Sequence, residues 1–291
     1  MLHAMRPFGR RLWVLLGIAA LAAILVAPFF IIDRPGQRAL GFYLWKITSG
    51  KAHGGQCVEI NDICIYYETF GAGPPVLVLH GGLGSLNFMK YQIRALAVSH
   101  LVIAVDSRAH GQSTDSDAPL SYALMADDML KLLDRLQIDR VDVVGWSDGA
   151  IIGLDLAMHH PERVRRLVAI SANYDADGLT AVPNADEALP SAPRRYRLFA
   201  PDPGHWPILV HKVITMWRTQ PHYTLGELQR ITAPTLIIAG ESDLIKRDHT
   251  DRLAKAIPNS REVIIEGGTH TTPNDNAGIV NALITQFLGP T

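Results

Sequence analysis

The chain has 291 residues, 48% of them hydrophobic, enough for one large core and an appendage. Lys and Arg number 27 against 28 Asp and Glu, yet residues 1–51 carry seven basic side chains against the single acid Asp33, leaving the remainder at net −7. An acidic body argues against nucleic acid as partner or substrate.

Arg6, Arg10 and Arg11 lie in a basic tail, residues 1–11, and residues 12–32 follow as 21 positions without a charge. That length suits a helix crossing a hydrocarbon core. A cleaved signal peptide would have a shorter apolar region and an A-x-A site, and a buried core helix would carry polar interruptions. An uncleaved single-pass anchor in contact with membrane lipid fits best. Arg34, Arg38 and Lys46 nearly balance the arginines before the span, so the very short tail decides orientation: N-terminus inside, the folded body on the extracytoplasmic side. Residues 33–54 form a juxtamembrane linker. Its Phe42, Tyr43, Leu44, Trp45 and Ile47 suit either an interfacial anchor or a stalk packed on the domain.

The domain spans residues 55–291 and opens with a hairpin turning at Asn61-Asp62, where Ile60 faces Ile63. Counting outward, Cys57 opposes Tyr66 and Cys64 opposes Glu59, so the cysteines are diagonal neighbours on one face. Diagonal Cβ atoms roughly 7–8 Å apart exceed the reach of an unstrained disulfide, which predicts two thiols unless the register differs. Strands are expected near 57–60, 63–69, 75–80, 101–106, 141–146, 165–171, 235–240 and 262–266. Helices are expected near 86–98, 121–136, 148–160, 249–257 and 275–288. This alternation predicts an α/β fold with a mostly parallel, doubly wound sheet. Residues 173–230 interrupt it with prolines and with Tyr174, Tyr196, Phe199, Trp206, Trp217 and Tyr223.

Gly145-Trp146-Ser147-Asp148-Gly149 follows a β-branched run and precedes a helical pattern, the context in which G-x-S-x-G forms a strained strand–turn–helix with its Ser hydroxyl raised above the sheet. Upstream, Val76-Leu77-Val78-Leu79 enters His80-Gly81-Gly82-Leu83-Gly84-Ser85, with a helix starting at Ser85 or Asn87. A glycine-rich loop there can aim backbone N–H groups at an oxyanion. No Gly-Lys-Ser/Thr or third spaced glycine supports a phosphate loop. Downstream, Asp243 follows one strand and His270 another. A hydroxyl needs an imidazole to take its proton, and the imidazole needs a carboxylate to fix its tautomer.

The order Ser147, Asp243, His270 resembles the α/β-hydrolase superfamily, from about Cys57 to the C-terminus. Asp106-Ser107-Arg108-Ala109-His110-Gly111-Gln112-Ser113 is similar to that family's D-x-R-G-x-G-x-S turn, with Ala109 in place of Gly and a structural role only. Asp243-Leu244-Ile245 departs from the usual D-P-hydrophobic pattern. The insertion at 173–230 resembles the family's cap, although its aromatics read first as cap core. The elbow Gly-Trp-Ser-Asp-Gly is similar to that of valacyclovir-hydrolase-like serine esterases, a resemblance implying that Asp148 receives the α-amino group of aminoacyl esters. Capping of the following helix is the even alternative for Asp148.

Other residues invite assignments that the pattern does not favour. His159-His160 ends a helix and reads as capping, His80 as a structural hydrogen-bonder, and Asp175 and Asp177 as weaker candidates for the triad acid. Twelve His include no H-E-x-x-H or clustered ligand set, so neither metal nor cofactor is expected. The reading is a membrane-anchored serine hydrolase of small carboxylic esters. Ser147, Asp243 and His270 form its triad, and the N–H groups of Gly82 and Asp148 its oxyanion hole. Carbon–carbon-bond hydrolase, peptidase and haloperoxidase chemistry use the same apparatus. A non-catalytic membrane binding protein is the rival from another class, and its mark would be a broken triad.

Overall fold

The structure is a computed structural model in which residues 34–182 and 192–289 are described. They divide into two compact units, one ending at Gly50 and one starting at Lys51. In the first, α1 (Arg34–Thr48) makes most of the expected linker helical. Phe42 and Trp45, three apart and hence on one face, stack with ring centroids 5.7 Å apart, and Lys46 Nζ lies 5.4 Å from the Tyr43 ring. The expected span at 12–32 lies outside the described residues. Among those described, no helix is long and apolar enough to cross a membrane.

The second unit opens with the antiparallel strands β1 (Ala52–Ile60) and β2 (Ile63–Phe70). Asn61 and Asp62 have φ of 49° and 62°, left-handed values that match a two-residue turn to the strand twist. Ile60 pairs with Ile63, Cys57 with Tyr66 and Glu59 with Cys64, the register the pattern predicts. The expectation of two thiols is nevertheless corrected. The Cys57 and Cys64 sulfurs are bonded and their Cα atoms are 5.5 Å apart, inside the usual range of about 4.4–6.8 Å. The strong twist of a two-stranded ribbon shortens one diagonal relative to a flat sheet. β1 also starts earlier than expected, because Gly54 and Gly55 hide its first residues and the register shifts between Ala52 and Gly55.

Six further strands complete one sheet: β3 (Pro75–Leu79), β4 (Leu101–Val105), β5 (Val141–Trp146), β6 (Val164–Ile170), β7 (Thr235–Ser242) and β8 (Ser260–Thr269). Their order is β1-β2-β4-β3-β5-β6-β7-β8, parallel from β4 onward. Every residue of β5 is buried, as expected of a parallel strand covered on both faces. The helices are α2 (Lys90–Leu96), α3 (Tyr122–Arg135), α4 (Asp148–His159), α5 (Ala192–Phe199), α6 (Trp206–Thr219), α7 (Leu225–Leu228), α8 (Arg247–Ala256), α9 (Thr272–Asp275) and α10 (Ala277–Leu288). Ser121 caps α3 by accepting from Leu124 N–H, one of the donors a helix start leaves free.

Helices α5, α6 and α7 lie between β6 and β7, in the expected cap, of which residues 183–191 are outside the described set. Leu209, Val213 and Met216 point one face of α6 into the apolar core together with Tyr196. β3 has β4 on one side and β5 on the other, so the chain reverses direction across the sheet there. Ligands bind beyond the carboxyl ends of strands at such a switch point. Gly81-Gly82 and Ser147 both lie at that place.

Candidate active site

Ser147 follows β5 with φ 54° and ψ −119°, a left-handed strained conformation for a residue with a Cβ. Gly145 and Gly149 make the turn possible. A Cβ on Gly145 would collide with the Gly149 carbonyl, and one on Gly149 with the Leu79 carbonyl of β3. The Ser147 carbonyl accepts from Ala150 N–H at 2.8 Å and Ile151 N–H at 3.0 Å, which locks the elbow onto α4.

The loops after β7 and β8 bring Asp243 and His270 to this elbow. His270 Nε2 lies 3.0 Å from Ser147 Oγ, and His270 Nδ1 lies 2.7 Å from Asp243 Oδ1. The carboxylate therefore favours a proton on Nδ1 and leaves Nε2 to accept from the hydroxyl. Ile245 N–H also donates to Asp243 Oδ1, while Gly240 N–H and Ser171 Oγ donate to Oδ2, the latter at 2.6 Å. Burial works to raise the Asp243 carboxyl, but the His270 hydrogen bond and charge, then Ser171, hold it below its ordinary value. Trp146 Nε1 donates to the His270 carbonyl at 2.8 Å and so fixes the backbone that carries the imidazole. The D-L-I departure after β7 leaves this geometry intact.

Gly82 and Asp148 meet on the other side of Ser147. A Cβ on Gly81 would lie 3.1 Å from the Ser147 Cβ, so the glycine loop passes directly beside the elbow. Neither the Gly82 nor the Asp148 backbone N–H has a protein acceptor among the described residues. Two such donors beside a raised hydroxyl can receive an oxyanion. The Asp148 side chain is buried and Oδ1 accepts from Tyr122 Oη at 3.0 Å and Trp217 Nε1 at 2.8 Å. Burial pushes its carboxyl up to about 6, although Trp217, Tyr122 and the His270 charge oppose the shift.

Neighbouring candidates fall into structural roles. His80 lies 2.7 Å through Nδ1 from the Gly81 carbonyl and accepts from Ser107 N–H through Nε2, and its burial lowers the imidazole to about 3. In the D-x-R-A-H-G-Q-S turn, Asp106 accepts from the N–H groups of Leu86 and Gln112, and Arg108 forms a buried two-bond pair with Asp128. Ala109 takes φ 66°, the left-handed conformation that explains glycine in the resembling motif. Asp175 pairs with His222 and Asp177 N–H, whereas Asp243 reaches His270. His159 bonds back to the Asp155 carbonyl at the end of α4. Among the described residues no three His, Cys, Asp or Glu side chains converge as metal ligands.

Ser171, Tyr122, Trp146 and Trp217 escape sequence reasoning. Ser171 carries one weak signal, its place directly after a buried strand; the others are apolar-pattern residues whose polar ends meet the site only in three dimensions.

A hydroxyl, imidazole and carboxylate in one hydrogen-bonded line, at the switch point of an eight-stranded α/β sheet, define a hydrolase architecture. The sequence pattern of the alpha/beta hydrolase fold matches residues 74–204. The putative carbamate hydrolase RutD of Azorhizobium caulinodans is 29% identical over 82% of this chain and 97% of its own. The serine hydrolase BPHL of Homo sapiens is 28% identical over 94% of this chain and 97% of its own. A meta-cleavage product hydrolase from Pseudomonas fluorescens IP01 superposes with a TM-score of 0.68 at 21% identity, over 80% of this chain and 97% of its own. These likenesses, to a family model over residues 74–204 and to relatives along most of the chain, support a member of the α/β-hydrolase superfamily.

Proposed function

We propose that this hydrolase cleaves small carboxylic esters through an acyl-enzyme intermediate. The observation that carries the reading is the unbroken path from Asp243 Oδ1 through His270 to Ser147 Oγ, at 2.7 and 3.0 Å. Ser147 Oγ attacks the carbonyl carbon as His270 Nε2 takes its proton, and Asp243 steadies the imidazolium. The N–H groups of Gly82 and Asp148 receive the oxyanion. The C–O bond then breaks, and His270 returns the proton to the departing alcohol. Water repeats the sequence on the acyl-enzyme and regenerates Ser147.

Ser147→Ala tests this reading. It should abolish covalent labelling by an organophosphonate and lower ester turnover by about 10⁴-fold or more. Near-normal turnover in that variant would overturn the serine mechanism, and no turnover by the unsubstituted protein on any ester would favour a non-catalytic binding protein. Carbon–carbon-bond, peptide and peroxide chemistry use the same triad. A panel of esters, carbamates and amides therefore decides among substrates, and the carbamate belongs in it because one relative is named for that group.

Asp148 favours a second, narrower reading in which the substrate carries an ammonium beside the scissile carbonyl. Its carboxylate is buried next to Gly82 and would form a charge-assisted bond with such a group. A bond to a charged group contributes roughly 1.5–3 kcal/mol. Asp148→Asn should therefore lower kcat/KM for aminoacyl esters about 10- to 150-fold, and for aliphatic esters much less. Equal losses on both would remove the ammonium reading and leave Asp148 a structural residue.

The proposal includes a single-pass anchor at residues 12–32 with the catalytic unit on the extracytoplasmic side. Its supports are the uncharged 21-residue run, the preceding arginines and the bonded pair Cys57–Cys64, which suits an oxidising compartment. A compartment-sensitive reporter fused after Thr291 tests it, and a cytoplasmic signal would reverse the orientation.

A further inference from the structure

The two oxyanion donors sit on different elements, Gly82 on the loop after β3 and Asp148 at the first turn of α4. Their spacing therefore needs something that touches both. The Asp148 side chain does so. It folds back so that a Cβ placed on Gly82 would run into Asp148 Oδ2 and come within 3.1 Å of its Cγ. The carboxylate is thus wedged against the glycine Cα.

What holds the wedge is a pair of donors on other elements. Tyr122 Oη, from the start of α3, bonds Oδ1 at 3.0 Å. Trp217 Nε1, from the cap helix α6, bonds Oδ1 at 2.8 Å and Oδ2 at 3.1 Å. The Trp217 ring edge also closes on the loop itself, with Cζ2 2.6 Å from where a Gly82 Cβ would stand. One cap side chain therefore touches Gly82 directly and reaches Asp148 by hydrogen bond.

We propose that Trp217 is a positioning residue for the oxyanion hole, acting through the Asp148 carboxylate, so that the hole is in register only while the cap helix is seated. This rests on the serine-hydrolase reading above. An oxyanion donor contributes most in the transition state, when the carbonyl oxygen gains charge and shortens its hydrogen bonds. A small change in donor spacing consequently acts on kcat and leaves ground-state binding nearly untouched.

The test is a double-mutant cycle in the full chain, on a simple aliphatic ester. Trp217→Phe keeps a ring on Gly82 and removes the Nε1 donor. It should lower kcat roughly 10- to 100-fold, below the 10²–10³ of losing a donor outright, with KM within about twofold. Affinity for a trifluoromethyl ketone, whose adduct carries the oxyanion, should fall by the same factor as kcat/KM. In an Asp148→Ala background, Trp217→Phe should have almost no further effect, because the carboxylate it acts through is gone. Tyr122→Phe removes the second donor and should move kcat in the same direction, which keeps the proposal testable if the tryptophan variant does not fold. Unchanged kcat in folded Trp217→Phe (or in Tyr122→Phe, should the tryptophan variant not fold), a loss confined to KM, or losses that simply add would overturn the proposal. Ser147→Ala run alongside separates the two claims. If it is inactive while Trp217→Phe is normal, only the positioning role falls; if it retains turnover, both fall.

Discussion

Ser171 Oγ donates to Asp243 Oδ2 at 2.6 Å, leaving Oδ1, on the other side of the carboxylate, to face His270 Nδ1. Ser171 manages this by taking φ 54° directly after β6, so its hydroxyl turns across the sheet edge toward the loop after β7. The acid is gripped from both sides, and its rotation would swing the imidazole off Ser147.

Ser171→Ala should therefore lower kcat about 10-fold, the low end for a hydrogen bond to a charged group, because Gly240 and Ile245 still donate to Asp243. The Asp243 carboxyl is depressed in the folded protein, so it stabilises the fold above the ordinary carboxylate range and loses that contribution as pH falls through its folded value. Without Ser171 that folded value rises. Acid unfolding followed by circular dichroism should begin at higher pH in the variant; an unchanged acid transition and unchanged kcat would leave Ser171 without a positioning role.

Ala109 is a residue with a Cβ in left-handed backbone, φ 66°, in the turn after β4. Its N–H donates to the Thr114 carbonyl and its carbonyl accepts from Tyr196 Oη, so the conformation is held from both ends. Ala109→Gly relieves the Cβ clash and should stabilise the protein by about 0.5–1 kcal/mol, read as a higher urea midpoint at unchanged slope. A lower midpoint would mean that the extra freedom of glycine in the unfolded chain outweighs the strain.

The order of strands and helices was legible because the parallel strands centre on apolar runs rich in Val, Ile and Leu, as in Val76 to Leu79 or Leu236 to Ile238, separated by helical patterns. Ser147, Asp243 and His270 were legible because each follows such a run. The hairpin register was legible from its two-residue turn. The link between Cys57 and Cys64 was not, since twist and not register decides the diagonal distance. Tyr122 and Trp217 carry no local mark of their role. Their apolar bodies satisfy the helical pattern, and only the fold brings their polar ends to Asp148.

The bonded Cys57–Cys64 pair predicts that native protein gives no reaction with an alkylating thiol reagent and two modified cysteines after reduction and unfolding, measured by intact mass. Closing so short a loop removes about 2–3 kcal/mol of chain freedom from the unfolded state. Replacing both cysteines with alanine should lower stability by that order. Two thiols reactive before reduction would restore the sequence expectation.

Asp148 makes the last prediction, on stability as a function of pH. Its carboxyl is buried and pushed up to about 6 by that burial, with Trp217, Tyr122 and the His270 charge offsetting only part of the shift. In the unfolded chain the same group titrates near 3.9. A carboxylate whose folded value is raised costs stability wherever it is ionised in the folded state. That cost is full well above pH 6, shrinks as the folded carboxyl takes up its proton, and vanishes below about pH 4, where both states become protonated. An asparagine at this position keeps an oxygen for Tyr122 and Trp217 and carries no charge. Its amide N–H groups face a donor on the Trp217 side, which cancels part of the gain. Asp148→Asn should thus stabilise the protein at pH 8 by about 1–3 kcal/mol in urea unfolding. The advantage should decline steadily between pH 6 and pH 4. A variant less stable at pH 8 would mean that the two donors hold the ionised carboxylate more strongly than burial penalises it. The Asp148 carboxyl would then titrate below its ordinary value in the folded protein.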